Sequence, residues 1–194
     1  MPAMSQLESV LLRSAPWRTF ATRGVLPWAL SGEHLGGHAL EVGSGSGAIA
    51  AALLNRFPTL QITATDIDPR MVLAAGKRLA GYGDRASVVQ ADAAKLPFAD
   101  DTFDLALSFL MLHHVGDWET ALRELVRVVR PGGRILGCDV LHSRFLAWSE
   151  RTFGSGDERL ITLDAFAAEL SRLELRDWRS DRSPLHAFRF ALEV

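Results

Sequence analysis

Cysteine is nearly absent from this chain of 194 residues, Cys138 being the only one. That excludes an intrachain disulfide and a cysteine metal cluster. Lysine is almost as scarce, with Lys77 and Lys95 standing among many arginines. We read that as composition bias without functional content. An excess of one charge sign is missing too. Lys plus Arg number 21 against 23 Asp plus Glu, for a formal net charge of −2. The basic residues are scattered, which argues against the concentrated basic face that nucleic acid requires. No uninterrupted apolar run approaches the roughly 18–20 residues that span a bilayer. The opening "MPAMSQLESVLLRSAP" has neither a basic leader nor a continuous apolar core, so a signal peptide is not expected and a cytoplasmic location is. Internal repeats and low-complexity tracts are also lacking.

What is present is an ordinary globular balance, 48% apolar and 23% charged, in a chain long enough to bury a substantial core. One domain is expected over 1–194. It divides into an N-terminal helical cover segment (1–37), a cofactor-binding core (38–142) and a C-terminal helix and β-hairpin (143–194). Apolar spacing from Ser5 to Arg13 suits a short amphipathic helix. "APWRTFATRGVLPWAL", broken by Pro16, Gly24 and Pro27, looks like a cover or docking segment. From His38 the pattern alternates. "HALEV", "LQITATD", "ASVVQAD", a run within "TFDLALSFLML", and "RILGCDVL" read as strands. "SGAIAAALLNRF", "PRMVLAAGKRLAGYG" and "DWETALRELVRVV" read as helices. "RPGG" reads as a tight turn feeding the fifth strand. Such alternation means parallel pairing covered on both faces. After a helix near Leu163–Ser171, "LELRDWRS" and "HAFRFALEV" follow with only a short turn-like stretch between, predicting an antiparallel hairpin.

The densest signal is "EVGSGSGAIA", with Gly43, Gly45 and Gly47 alternating between a strand and a helix. In an open α/β sheet, ligands bind at the carboxyl ends of the strands. Glycines there allow unusual backbone angles and clear the way for a ligand, and the helix that follows suits an anion. The motif alone is ambiguous. Gly43, Gly45 and Ala48 also satisfy the dinucleotide pattern, with Asp66 near the distance of a ribose-binding acid. A structural turn with no ligand is the plainer alternative. The neighbours tilt the choice. Glu41 lies beside the loop, Asp66 ends the second strand, where it is expected to face solvent, and Asp92 ends the third. Three acids converging on one crevice repel a pyrophosphate but suit a ligand carrying an ammonium and a sulfonium.

Five segments, "LEVGSGSG", "TATDIDPRMV", "VVQADAAKLPF", "DDTFDLALSFLMLHHV" and "RVVRPGGRI", occur in order and at matching spacing. Through them the chain resembles class I S-adenosylmethionine-dependent methyltransferases, most of all the small-molecule group that includes ubiquinone/menaquinone-biosynthesis-like enzymes. The likeness covers Ala39 to Val140 closely. It implies an α/β, Rossmann-like, doubly wound sheet of seven strands, mostly parallel with an antiparallel C-terminal hairpin. It also implies S-adenosyl-L-methionine as cofactor and S-adenosyl-L-homocysteine as product. By this resemblance Glu41 and the loop of Gly43, Ser44, Gly45 and Gly47 hold the methionyl part. Asp66 takes the ribose hydroxyls and Ile67 packs on the adenine. Asp92 and the Ala93 backbone read the adenine edge, and Ser108 offers its carbonyl to the ammonium. Leu96 to Phe98 are expected to shape a packed loop.

A general base is needed only if the acceptor must lose a proton. His113 and His142 are the catalytic candidates, with His114 and Asp139 also on that rim. One histidine of "LHHV" has a packing role at a helix entry as its alternative. His34 and His38 lack the helical zinc spacing and read as surface-loop residues, so no metal site is expected. Trp17, Phe20 and Trp28 either close over the site or cap the sheet's apolar face, and Arg18 is a candidate partner for the cofactor carboxylate. The Asn/Asp-Pro-Pro-aromatic run of DNA-amine methyltransferases is absent, "SFLMLHHV" standing in its place. The expected acceptor is a small, partly apolar molecule, and its atom is O, N, S or C. The competing readings are an NAD(P)-binding oxidoreductase and a non-catalytic, cofactor-binding partner protein.

Overall fold

The computed structural model describes residues 14–141, 161–175, 178–182 and 187–194. The expected Ser5–Arg13 helix, His142 and the turn around Ser183-Pro184 lie outside the described residues.

The first described element is α1 (Ala15–Phe20), capped by Ser14, whose hydroxyl accepts from the Trp17 amide. Pro16 and Pro27 do not break the segment as expected. A π-helical stretch, Ala21–Val25, joins α1 to α2 (Leu26–Leu30), and the Leu26 amide reaches back to the Ala21 carbonyl. Widening by one residue lets the backbone absorb a proline that cannot donate.

The core then alternates: β1 (Gly37–Val42), α3 (Ala48–Arg56), β2 (Leu60–Asp66), α4 (Pro69–Leu79), β3 (Ala86–Gln90), β4 (Phe103–Phe109), α5 (Trp118–Val128) and β5 (Val129–Val140). Local chemistry sets the helix starts. Asp68 accepts the Arg70 amide at 2.8 Å with Pro69 at the first helical position, and Asp117 accepts the Thr120 amide at 3.1 Å. After β5 come α6 (Leu163–Arg172), β6 (Trp178–Arg182) and β7 (Ala187–Glu193). The strand order is β3-β2-β1-β4-β5-β7-β6. Pairings from β3 to β5 are parallel, whereas β7 runs antiparallel to both β5 and β6. This is a Rossmann-like, mostly parallel sheet with an antiparallel C-terminal pair.

Strands buried on both faces need two cores. On one side Leu40, Val42 and Ala106 pack with Trp118, Leu122, Leu125, Phe166 and Phe188. On the other, Ala39, Leu105 and Leu107 pack with Leu26, Leu30, Leu53, Leu54 and Leu79. Trp118 and Phe166 stack at 6.0 Å between ring centroids, joining α5 to α6.

Two details differ from the expectation. "RPGG" is an insert looped out of β5 rather than a turn before it, since the β4–β5 register steps from Phe103↔Val129 to Leu105↔Arg134. Gly132 takes φ +74° and donates its amide to the Val194 carbonyl at 2.7 Å. His38 is not in a surface loop. It lies in β1, half-buried, with Nε2 3.0 Å from Thr63 Oγ1 and its ring against Phe103.

Candidate functional site

The register places the sequence's candidates on one edge. Val42 is level with Thr65 of β2 and with Ser108 of β4, so three adjacent strands end together. The chain then turns through Gly43–Gly47, and the Ser44 amide donates to the Thr65 carbonyl at 2.8 Å.

The three glycines have three different reasons. Gly43, Gly45 and Gly47 all have positive φ, +62°, +55° and +71°. A Cβ on Gly43 would overlap the Met111 side chain. One on Gly47 would lie 3.1 Å from Ala75 Cβ, where α4 packs close. A Cβ on Gly45 would meet nothing within 4 Å. The open space is therefore over Gly45.

Asp66 does not face solvent as expected. It is 7% exposed, with Oδ2 accepting the Gly45 amide at 2.8 Å and Oδ1 the Asp68 amide at 2.9 Å. Burial pushes its pKa above the ordinary carboxylate value, against the pull of the Asp68, Gly45 and Ile67 amides, and the Asp68 charge adds to the rise. Each carboxylate oxygen keeps a second lone pair, so a ribose hydroxyl can still be accepted.

Glu41, 2% exposed, is less settled. Its Oε2 is buried and has no hydrogen-bond partner among the described residues. Burial, and then the charge of Asp66, push its pKa up to about 8. Ser44 Oγ and Ser108 Oγ are also buried without partners. Buried polar groups are rarely left so, and three on one rim fit a polar, cationic ligand at this place.

Further along the edge, the Ala91 amide donates to the Asp66 carbonyl at 3.1 Å, and the Gln90 side-chain amide donates to the Ile67 carbonyl at 3.0 Å. Ile67 is half-buried. Asp92 lies two residues beyond β3 rather than in it, half-buried, with Oδ1 accepting the Ala94 amide at 2.9 Å, and Ala93 is buried. Sequence reading missed the clamp beneath this loop. Arg127 donates to the carbonyls of Leu96 at 3.2 Å and Phe98 at 2.8 Å, while Glu124 accepts the Leu96 amide at 2.8 Å. A regular amphipathic helix carries no signal for that contact.

Beyond β4 the chain is strained. Leu110 has φ +53°, a left-handed conformation that costs a branched apolar residue about 1–3 kcal/mol. The surroundings hold it: its amide donates to the Cys138 carbonyl at 2.8 Å. A 3-10 turn, Leu112–His114, follows. Asp139, fully buried at the end of β5, accepts the Leu112 amide at 2.8 Å and lies 2.5 Å from His113 Nδ1. Asp139 is thus not an independent base, but the seat of His113. The His114 ring lies tilted against that of His113, with 3.9 Å between centroids.

Of the cover segment, α1 buries none of its residues, and Phe20 is 47% exposed. Trp28 packs on the second core. The Arg78 guanidinium donates to the Ser46 carbonyl inside the glycine loop, and Arg18 is near enough to hold the Arg78 pKa down after burial has lowered it. No group of His, Cys, Asp and Glu among the described residues suits a metal ion. A separate cavity of about 430 Å³ opens between α2 and the β5–β7 face, lined by Leu30, Glu33, Asp181 and Arg189. Its charges are already paired, Glu33 with Arg134 at 2.6 Å and Asp181 with Arg189 at 3.1 Å.

A glycine loop beside a buried carboxyl with an orphaned oxygen, at the carboxyl edge of this sheet, agrees with the comparisons to known proteins. The model of a methyltransferase domain matches residues 40–137, half of the chain. The chain belongs to this family, in its S-adenosylmethionine-dependent class. It is 37% identical over 123 residues to the ubiquinone/menaquinone biosynthesis C-methyltransferase UbiE of Desulfotalea psychrophila, which covers 63% of this chain and 47% of that protein. It is 38% identical over 115 residues to the malonyl-[acyl-carrier protein] O-methyltransferase of Halorhodospira halophila, covering 57% and 39%. The chain thus spans about half the length, or less, of these curated relatives. Among solved structures, a SAM-dependent methyltransferase from Aquifex aeolicus superposes with a TM-score of 0.77 at 19% identity, over 99% of this chain and all of that one. A possible histamine N-methyltransferase from Thermotoga maritima gives 0.74 at 18% identity, covering 91% and 90%. At such identities these two establish the fold.

Proposed function

We propose that this protein transfers a methyl group from S-adenosylmethionine to a small, partly apolar acceptor. The observation that carries the reading is Glu41, a buried carboxyl with an orphaned oxygen, near Asp66 and near Gly45, where an added Cβ would meet nothing within 4 Å. A dinucleotide would bring a pyrophosphate toward these acids, whereas a cationic nucleoside balances them.

In this reading Glu41, Gly43, Ser44, Gly45 and Gly47 hold the methionyl part, and the Ser108 carbonyl takes the ammonium. Asp66 and Ile67 take the ribose and one adenine face. Asp92 and the Ala93 backbone take the adenine edge. When bound, the cofactor supplies a methyl group already activated by its sulfonium. The protein's own task is to align the acceptor and exclude water, which can be worth roughly 7–11 kcal/mol. His113 is the proposed catalytic group, and His142 shares that place in the reading. The chain is taken as one domain over 1–194 with a cytoplasmic location and the seven-strand sheet of its family. Among the described residues no helix is long and apolar enough to cross a membrane.

Calorimetry with S-adenosylmethionine, S-adenosylhomocysteine and NADH tests this. Both adenosyl compounds should bind and NADH should not. Binding of NADH without S-adenosylhomocysteine would put an oxidoreductase in its place.

A further inference from the structure

We propose that the cavity between α2 and the β5–β7 face is a second ligand site, built for an amphipathic carboxylate whose head group pairs with Arg189. Such a site goes beyond methyl transfer and does not depend on it.

The space begins with the sequence of β7, "AFRFALE". Phe188, Phe190 and Leu192 are buried in the first core. Strand alternation therefore puts Ala187, Arg189 and Ala191 on the opposite face. β7 lies inside the sheet, between β5 and β6. A strand covered on both faces ordinarily fills such a place with bulky side chains. Two alanines and an arginine leave it open instead. The result is a cavity of about 430 Å³, within the range of small-molecule sites. Leu30 and Leu136, both buried, and Ala191 give it apolar walls.

Arg189 supplies the polar end. A guanidinium carries five N–H donors. Among the described residues, one donates to the Trp28 carbonyl at 2.9 Å and another to Asp181 Oδ2 at 3.1 Å. The others are left to a ligand, and a carboxylate can engage such a fork through both of its oxygens. The two partners of the ion pair are unequal. The Arg189 side chain is 27% exposed and tied to α2, whereas that of Asp181, on the outer strand β6, is 60% exposed. Solvent-facing pairs of this kind contribute little to stability. The cation is fixed and the anion is free to leave.

The remaining charge on the wall is Glu33. It is held by Arg134 at 2.6 Å, which also donates to the His34 carbonyl at 2.9 Å. The charge still to be matched is that of Arg189. An ammonium head could meet Asp181 only by drawing it away and leaving a half-buried guanidinium alone, which is costly. A carboxylate head does the reverse, releasing Asp181 to water and keeping Arg189 paired.

The cavity and the cofactor edge do not overlap. Leu136 is level with Leu107 of β4, and Leu107 with Glu41 of β1. At the usual spacing between strands, β4 keeps the two places roughly 10 Å apart. Both can be filled at once.

The test titrates decanoate, below its micelle concentration, into the whole chain with and without S-adenosylhomocysteine, followed by calorimetry and amide NMR shifts. Decanoate should bind with the same affinity in both cases and shift amides of residues 29–33 and 189–191. Decylammonium should bind at least tenfold more weakly. Asp181→Asn removes the competing carboxylate and should tighten decanoate about threefold. Arg189→Met should weaken it more than tenfold, and so should Ala191→Leu, which fills the space but keeps the cation. Should Arg189→Met fail to fold, the exposed Asp181→Asn still decides. Absence of decanoate binding, competition with S-adenosylhomocysteine, equal or tighter binding of decylammonium, or an Asp181→Asn variant with unchanged or weaker affinity overturns the inference. Failure to bind S-adenosylhomocysteine would instead sink the methyl-transfer reading alone, with the decanoate titrations still decisive here.

Discussion

Asp66 accepts the Gly45 amide at 2.8 Å, so the end of β2 holds the crest of the glycine loop in place. One carboxylate thereby shapes the loop and faces the space above it. Asp66→Ala should therefore damage both binding and stability. A hydrogen bond to a charged group is worth roughly 1.5–3 kcal/mol. Losing two of them should lower Tm by several degrees and weaken S-adenosylhomocysteine binding more than tenfold. Thermal melts and calorimetry on the variant check this, and unchanged affinity would remove Asp66 from the site.

The glycines separate fold from binding. Gly43→Ala should mainly destabilise, because the new methyl overlaps Met111. Gly45→Val has open space around it and should mainly block the ligand, with a smaller loss from its left-handed backbone. Melting temperature and affinity, measured on both variants, should rank in opposite orders. Equal ranking would mean that the space over Gly45 is not where the ligand lies.

Glu41 gives a signed pH dependence. Its folded pKa, about 8, lies above the ordinary 4.5, so the folded state binds the extra proton between those values. Its contribution to stability is complete below about pH 4.5 and is lost as pH rises through 8, at up to about 1.4 kcal/mol per pH unit. Glu41→Gln should flatten that slope in urea melts of the cofactor-free protein. A cationic ligand should also expel the proton, so that at pH 7 the heat of binding varies with buffer ionisation enthalpy. Buffer-independent heats would count against Glu41 facing the ligand's charge.

Arg127 should act at a distance. Its contacts to the Leu96 and Phe98 carbonyls hold the loop that follows Asp92. Arg127→Ala should speed amide exchange over residues 92–100 and weaken S-adenosylhomocysteine several-fold without touching it. Exchange that is unaltered there would show that the loop holds itself.

The parts of the fold that were legible from sequence are those where one local rule decides. "LQITATD" became β2 because an apolar, β-branched run bounded by Pro58 and Asp68-Pro69 has no competing pattern. Position along the chain also put Glu41, Asp66 and Ser108 at strand ends, since parallel strands in alternation share one carboxyl edge. Orientation was not legible. Asp66 was expected in solvent, and no spacing rule could say that the Gly45 amide, 21 residues away, would draw it inward. Pro27 misled for a related reason, as a one-residue π widening is invisible in propensities. Asp139 meets His113 only because β5 lies beside β4, so their pairing belongs to topology rather than to either motif.

The strand order has a consequence for how the chain reaches this shape. β7, synthesised last of the described strands, is inserted between β5 and the earlier-made β6. Until it emerges from the ribosome, β6 has no strand to pair with and the flank of β5 stays open. Nascent chains stalled before residue 187 should therefore carry a sticky, unzipped sheet margin, and closure of the sheet should wait on translation of β7.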